Sequence, residues 1–145
     1  MDTLDQFAQL FNSSNGLMKN GHWDEAVARL KDCLSLPKLP TNNRMMVHYN
    51  LGYALTKGAT SADEARKLMT PEEMHEAAAN YKVVANIYNK FLTDPQSKNE
   101  FKEFRDNAKA AITFFVFQLG VEIKPSSNPW EVNLKGFSGY PTQYV

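Results

Sequence analysis

The sequence predicts an all-α fold built from antiparallel helix pairs, on three observations. Apolar residues recur at three- and four-residue spacing through most of the chain up to Gly120. Breaks fall between these runs at Asn20-Gly21, Leu36-Pro37-Lys38-Leu39-Pro40, Gly58 and Asp94-Pro95. Cap residues with acid close behind them follow several of the breaks, most clearly at Thr70-Pro71-Glu72-Glu73.

Taken in order, Thr3 is positioned to cap a first helix with Gln6 reaching back, and Leu4, Phe7, Ala8, Phe11 and Met18 share one face until Asn20-Gly21 ends it. Asp24 and Glu25 then sit at the positive end of a second helix, with Ala26, Leu30, Cys33 and Leu34 on its seam until Pro37. A tight turn between the two makes them antiparallel. Past the rigid Leu36–Pro40 connector, Thr41 or Asn42 caps a third helix expected to run to about Lys57, with Gly58 as its stop.

Residues 59 to 70 offer two helix starts, Ser61-Ala62-Asp63-Glu64 and Thr70-Pro71-Glu72-Glu73, which predicts a short helix followed by a long one. The long helix, about Pro71 to Leu92, carries the strongest stripe: Met74, Ala77, Ala78, Tyr81, Val84, Ala85, Tyr88 and Phe91. Asp94-Pro95 ends it and opens the next, where Phe101, Phe104, Ala108, Ala111, Ile112 and Phe115 keep helical spacing. Residues 112 to 119 are β-branched and aromatic enough to suit a strand; a fully buried helix end is the favoured reading. Residues 1–120 thus form the helical domain. Residues 121–145, with Pro125, Pro129, Gly136, Gly139 and Pro141 among Trp130, Phe137, Tyr140 and Tyr144, form an extended tail with adhesive side chains.

Composition narrows the function. The chain has 145 residues, enough for one domain. Such a domain buries roughly 70% of the surface its unfolded form exposes, so no disulfide or metal staple is needed. Sixteen basic residues offset sixteen acidic ones without a block of one sign, so no nucleic-acid or anionic-membrane partner is expected. Acid at Asp2 and Asp5 replaces the basic start of a secretory signal, and the apolar run Ile112–Leu119 is too short to span a bilayer. The single cysteine, Cys33, fits a reducing compartment, so a cytoplasmic location is expected.

Against this background, Gly21-His22-Trp23-Asp24-Glu25-Ala26-Val27, with Leu30, Cys33 and Pro37, resembles the turn and second helix of a tetratricopeptide repeat. Such a unit needs glycine at the turn, an aromatic beside it, a small residue at the helix crossing and bulkier apolar residues along the seam. His48-Tyr49-Asn50-Leu51-Gly52-Tyr53-Ala54-Leu55 resembles the first helix of a following repeat, with His48 in place of the family's large aromatic. Its partner is Glu76–Lys90, with Ala77 at the close crossing, after an insertion at residues 59–70. A third first-helix, roughly Phe104 to Phe117, is read with Ala110, Ala111 and Phe114 at its packing sites, and no second helix follows it before the tail.

The resemblance implies a short right-handed superhelix whose first helices line a groove that captures a peptide or helix of another protein, with no reaction and no cofactor. Carried over residue by residue, the groove is lined by Phe11, Asn15, Met18 and Lys19 from the first helix and by Met46, Tyr49, Asn50, Tyr53 and Lys57 from the third. Some family members clamp a partner's terminal carboxylate; Asn15 and Asn50 match two of those positions, Arg105 and Lys109 offer charge, and Phe11 stands where a clamp lysine belongs. The expected role is an adaptor or chaperone-like interaction module. The alternative is a structural subunit of a homo-oligomer, using helix faces and the tail anchors Trp130, Phe137, Tyr140 and Tyr144, which otherwise cap the last helix.

Catalytic readings are weak. His22, His48 and His75 lack metal-ligand spacing, Cys33 lies on an apolar seam, and Glu72, Glu73 and Glu76 decorate a helix start. No phosphate-cradling loop or nucleophile elbow is present, so the chain is expected not to be an enzyme.

Overall fold

The computed structural model describes residues 2–123. Among these the fold is all-helical: α1 (Thr3–Lys19), α2 (Trp23–Leu34), α3 (Thr41–Leu55), α4 (Ala62–Leu68), α5 (Pro71–Phe91), α6 (Pro95–Glu100) and α7 (Lys102–Thr113), then a π-helical turn over Phe114–Gln118. The residues expected to form the tail anchors, Trp130, Phe137, Tyr140 and Tyr144, lie outside the described residues.

Local chemistry explains where these elements start and stop. Asp2, not Thr3, caps α1: its extended backbone lets Oδ1 accept the Asp5 N–H at 2.8 Å. Thr3 is instead the first helical residue, and its hydroxyl donates to Pro37 O at 2.9 Å, tying the start of α1 to the connector after α2. The third helix begins at Thr41 behind Pro40, with no side-chain cap, and ends at Leu55, two residues short of the expected end. Lys57 and Gly58 then both take left-handed conformations, φ 54° and 74°. Only the glycine does so without steric cost. At α5 the expected capping box is complete: Thr70 Oγ1 accepts from Glu73 N at 3.1 Å and Glu73 Oε1 accepts from Thr70 N at 2.9 Å.

The segment between α7 and Gly120 corrects the expectation of a fully buried helix end. Four bulky residues in succession, Phe114 to Phe117, cannot all face one side of a helix. In the wide π turn Phe115 points inward, almost fully buried, while Phe117 is 81% exposed. Ala110, expected at a packing site, is exposed; on α7 Ala108 is fully buried, and Phe104, Ala111 and Ile112 pack against the same core.

Packing runs stepwise along the chain: α1 on α2, α2 on α3, α3 on α5, and α5 on α7, with a lesser contact between α3 and α7. α3 is therefore shared by two cores. Met45 and Leu55 join Ala77, Ala78, Val84 and Ile87 of α5, whereas Val47, Leu51 and Ala54 join Ala26, Leu30 and Cys33 of α2. Full burial of each of the larger aliphatic side chains stabilises by about 1.5–3 kcal/mol.

The tightest approach is at Gly52. A Cβ there would lie 2.6 Å from Tyr81 Cε2, so only a hydrogen lets α3 and α5 come this close. Beside it, His48 and Asn80 are fully buried, with His48 Nδ1 3.0 Å from Asn80 Oδ1. Asn80 Nδ2 donates to Glu76 O at 2.8 Å, which turns Oδ1 toward the imidazole. His48 Nδ1 is then the donor, and the ring is neutral with its proton on that nitrogen.

Candidate binding groove

With two faces of α3 committed to the cores, its third face carries Met46, Tyr49, Asn50, Tyr53 and, just past its end, Lys57. These positions recur at helical spacing. Tyr53 is 49% exposed, and its ring meets Trp23 edge-on at 6.0 Å. Tyr49 stands deeper, edge-on to Tyr81 at 5.7 Å and to Phe104 at 4.8 Å.

Two side-chain hydrogen bonds join the neighbouring helices to this face. Asn50 Nδ2 donates to Asn15 Oδ1 at 3.2 Å, linking α3 to α1. Asn107 Nδ2 donates to Tyr49 Oη at 3.3 Å, linking α7 to α3. Asn15 and Asn107 are exposed. The resulting surface offers amides, phenols and aromatic edges.

The other expected site residues are distributed differently. Phe11 stacks on Phe7 at 5.0 Å, and with Met18 packs against the α1–α2 core, while Met46 packs against the α3–α5 core. Lys19 is exposed. Lys57 Nζ pairs with Glu73 at 2.8 Å, joining the end of α3 to the start of α5. Hydrogen bonds from Lys57 and Thr70 hold the Glu73 carboxyl below its ordinary value, overcoming the opposing effect of burial. Arg105 lies 4.6 Å over the Tyr88 ring and bonds the neighbouring Asp106 at 2.6 Å. Lys109 is exposed, one turn further along α7.

Near Tyr53 the surface deepens into a pocket of about 280 Å³ lined by Gly21, His22, Trp23, Asp24, Glu25 and Lys57. Its mixed charge and open form suit a polar side chain. Among the described residues, no group of three or more His, Cys, Asp or Glu side chains is placed to hold a metal ion. No helix among them is long and apolar enough to cross a membrane. Cys33 is buried on the α2 seam, and burial first, with the Asp32 charge second, pushes its thiol up to about 12.

Asn107 and Asn80, the buried partner of His48, are contributors that the pattern of residues did not single out. Asn80 interrupts the apolar stripe between Ala77 and Val84, a signal that could have found it. Asn107 is one of several polar residues on α7 and carries no such mark. No protein family, curated protein or solved structure matches the chain.

Proposed function

We propose that the chain is a non-catalytic interaction module of tetratricopeptide-like build that binds a peptide or helix of a partner protein along the face shared by α1, α3 and α7. The observation that carries this reading is the pair of bridges, Asn50 to Asn15 and Asn107 to Tyr49, which ties side chains of α1 and α7 to α3. The stepwise packing of α1 on α2, α2 on α3, α3 on α5 and α5 on α7 supports it, because it is the neighbour order of stacked helix pairs.

Amides beside aromatic rings suit a peptide backbone. Asn side chains can donate to and accept from main-chain groups, while tyrosine rings bury the peptide's apolar side chains at low entropic cost. With Lys57 paired to Glu73 and Arg105 set against Tyr88, the favoured ligand is an uncharged or mixed-charge segment rather than a carboxylate terminus. An adaptor or chaperone-like role fits that chemistry, and the single cysteine fits a cytoplasmic location.

The test is selection of binding peptides from a random display library on the immobilised full chain, followed by affinity measurement with Tyr53→Ala and Asn50→Ala. Each variant is expected to weaken the selected peptide by about tenfold, the scale of losing one central contact. Failure to enrich any sequence, or binding by both variants as tight as that of the unaltered chain, would remove the groove reading.

A further inference from the structure

Among the described residues, two cores meet in one helix. Val47, Leu51 and Ala54 of α3 pack with Phe7, Ala26, Leu30 and Cys33 of α1 and α2, whereas Met45 and Leu55 of α3 pack with Val84 and Ile87 of α5. Parting α3 from α5 therefore leaves the core of α1, α2 and α3 in place. Proteins commonly open in such contiguous units, smaller than the whole domain.

The seam between α3 and α5 holds a group that acid can charge. His48 and Asn80 are both fully buried there, with Nδ1 and Oδ1 3.0 Å apart. Nδ1 already carries a proton, so a second one must go to Nε2 and puts a full positive charge inside the seam. Burial above all opposes that charge, and Arg44, one turn earlier on α3, acts in the same direction; together they outweigh the Asn80 bond and lower the pKa from 6.5 to about 3.

The ionisable groups that flank the seam from the helices packed on α3 are occupied or neutral. On α5, Glu76 lies 3.8 Å from Lys31 of α2, Glu73 is paired with Lys57, and burial keeps the Tyr81 phenol protonated. On α2, burial does the same for the Cys33 thiol. On α7, Arg105 bonds Asp106, and α1 reaches α3 through Asn15 and Asn50, whose amides do not titrate.

We propose that uptake of a proton by His48 opens the α3–α5 seam while α1, α2 and α3 stay packed together, so that the His48–Asn80 pair is a latch released by acid. In the open state the ring is hydrated and titrates at its ordinary 6.5, so opening gains about 25-fold between pH 7 and pH 5. Left with α7 alone, α5 loses much of the packing that keeps a helix formed in water. The latch belongs to the α3–α5 interface and stands whether or not a peptide binds in the groove.

The test is amide hydrogen exchange of the full chain at pH 7 and pH 5, expressed as protection relative to the unstructured rate at each pH. Val83, Val84 and Ile87 report α5, and Leu30 and Cys33 report the core of α1, α2 and α3; all five are fully buried. Protection of the α5 amides is expected to fall about 25-fold, and at pH 5 to lie about tenfold or more below that of the α2 amides. His48→Gln, which keeps a donor for Asn80 and cannot take the proton, should abolish the fall. Asn80→Asp covers the case in which that variant does not fold: a carboxylate against the ring holds the imidazolium inside the seam, so α5 protection should not decline with acid. Equal protection of α2 and α5 at pH 5 would overturn the proposal, because the molecule would then open only as a whole. So would constant α5 protection in the unaltered chain, or a fall that persists in either variant.

Discussion

Replacing Gly52 by alanine separates two effects that normally act together at a helical glycine. In a helix interior alanine is favoured over glycine by roughly 0.5–1 kcal/mol, from backbone entropy alone. At Gly52 the new methyl would sit 2.6 to 2.8 Å from Cε2, Cζ and Cδ2 of Tyr81. Contact between carbons is comfortable at about 3.5–4.0 Å, so α3 and α5 must part by about 1 Å or the ring must turn. The ring is hemmed in by Tyr49 and Phe115, with centroids at 5.7 and 6.4 Å, and is itself buried. Overpacking of this kind costs about 1–3 kcal/mol. Gly16, in α1, supplies the control, because a Cβ there meets nothing within 4 Å. Gly16→Ala should stabilise and Gly52→Ala should not, and the gap between them, about 1–3 kcal/mol, isolates the steric conflict because the entropic gain is common to both. Urea unfolding followed by far-ultraviolet circular dichroism measures it. In a Tyr81→Leu background the gap should shrink or vanish. If Gly52→Ala proves as stable as Gly16→Ala, α3 and α5 do not meet as described and the argument from close approach fails.

Three further outcomes are expected. Burial, the largest effect, lowers the His48 pKa from 6.5 to about 3, so the unfolded chain takes up a proton that the folded one refuses. Its contribution to stability is complete above pH 6.5 and is lost as pH falls toward the folded value, at about 1.4 kcal/mol per pH unit, or about 2 kcal/mol by pH 5. His48→Gln should flatten that slope in urea titrations between pH 7 and 5; an unchanged slope would assign the acid sensitivity elsewhere. Cys33, with its thiol pushed up to about 12, should resist Ellman's reagent at pH 8 in the native protein and react at once in guanidinium, and fast native labelling would contradict its burial. Thr70→Ala should cost about 1 kcal/mol by removing half of the capping box at the head of α5, and a loss under a few tenths would show the cap to be inert.

Much of the helical architecture is written in local chemistry. The Thr70–Glu73 box, Gly58, Asp94-Pro95 and the α5 stripe act within a few residues of one another, so their meaning survives without knowledge of the fold. The misreadings arise where two local solutions compete. Asp2 and Thr3 are both good caps, and the choice went to the residue that left Thr3 free to bond Pro37, a contact 34 residues away. Phe114 to Phe117 satisfy strand and helix patterns alike, and the π-helical turn depends on what α5 offers Phe115. The bridge from Asn107 to Tyr49 was invisible for the same reason: it depends on which helix stands opposite.

That dependence also links the buried polar pair to the placing of Tyr49. An interface lined by Ala77, Ala78 and Met45 offers little to resist sliding of α5 along α3, because small and flexible side chains fit one another in several registers. His48 and Gly52, one turn apart on α3, remove that freedom in different ways. The imidazole must meet Asn80, since both are fully buried and leaving either without its bond costs about 1–3 kcal/mol. The hollow at Gly52 must meet Tyr81, since no other shape fits so close. Asn80 and Tyr81 are adjacent, so one register satisfies both conditions. A shift by one turn would break the hydrogen bond and drive a side chain into the ring. The same register sets Tyr49 against Tyr81 on one side and Phe104 on the other, and so places its hydroxyl where Asn107 can reach it. The buried pair thus helps fix the register that sets Tyr49 within reach of Asn107.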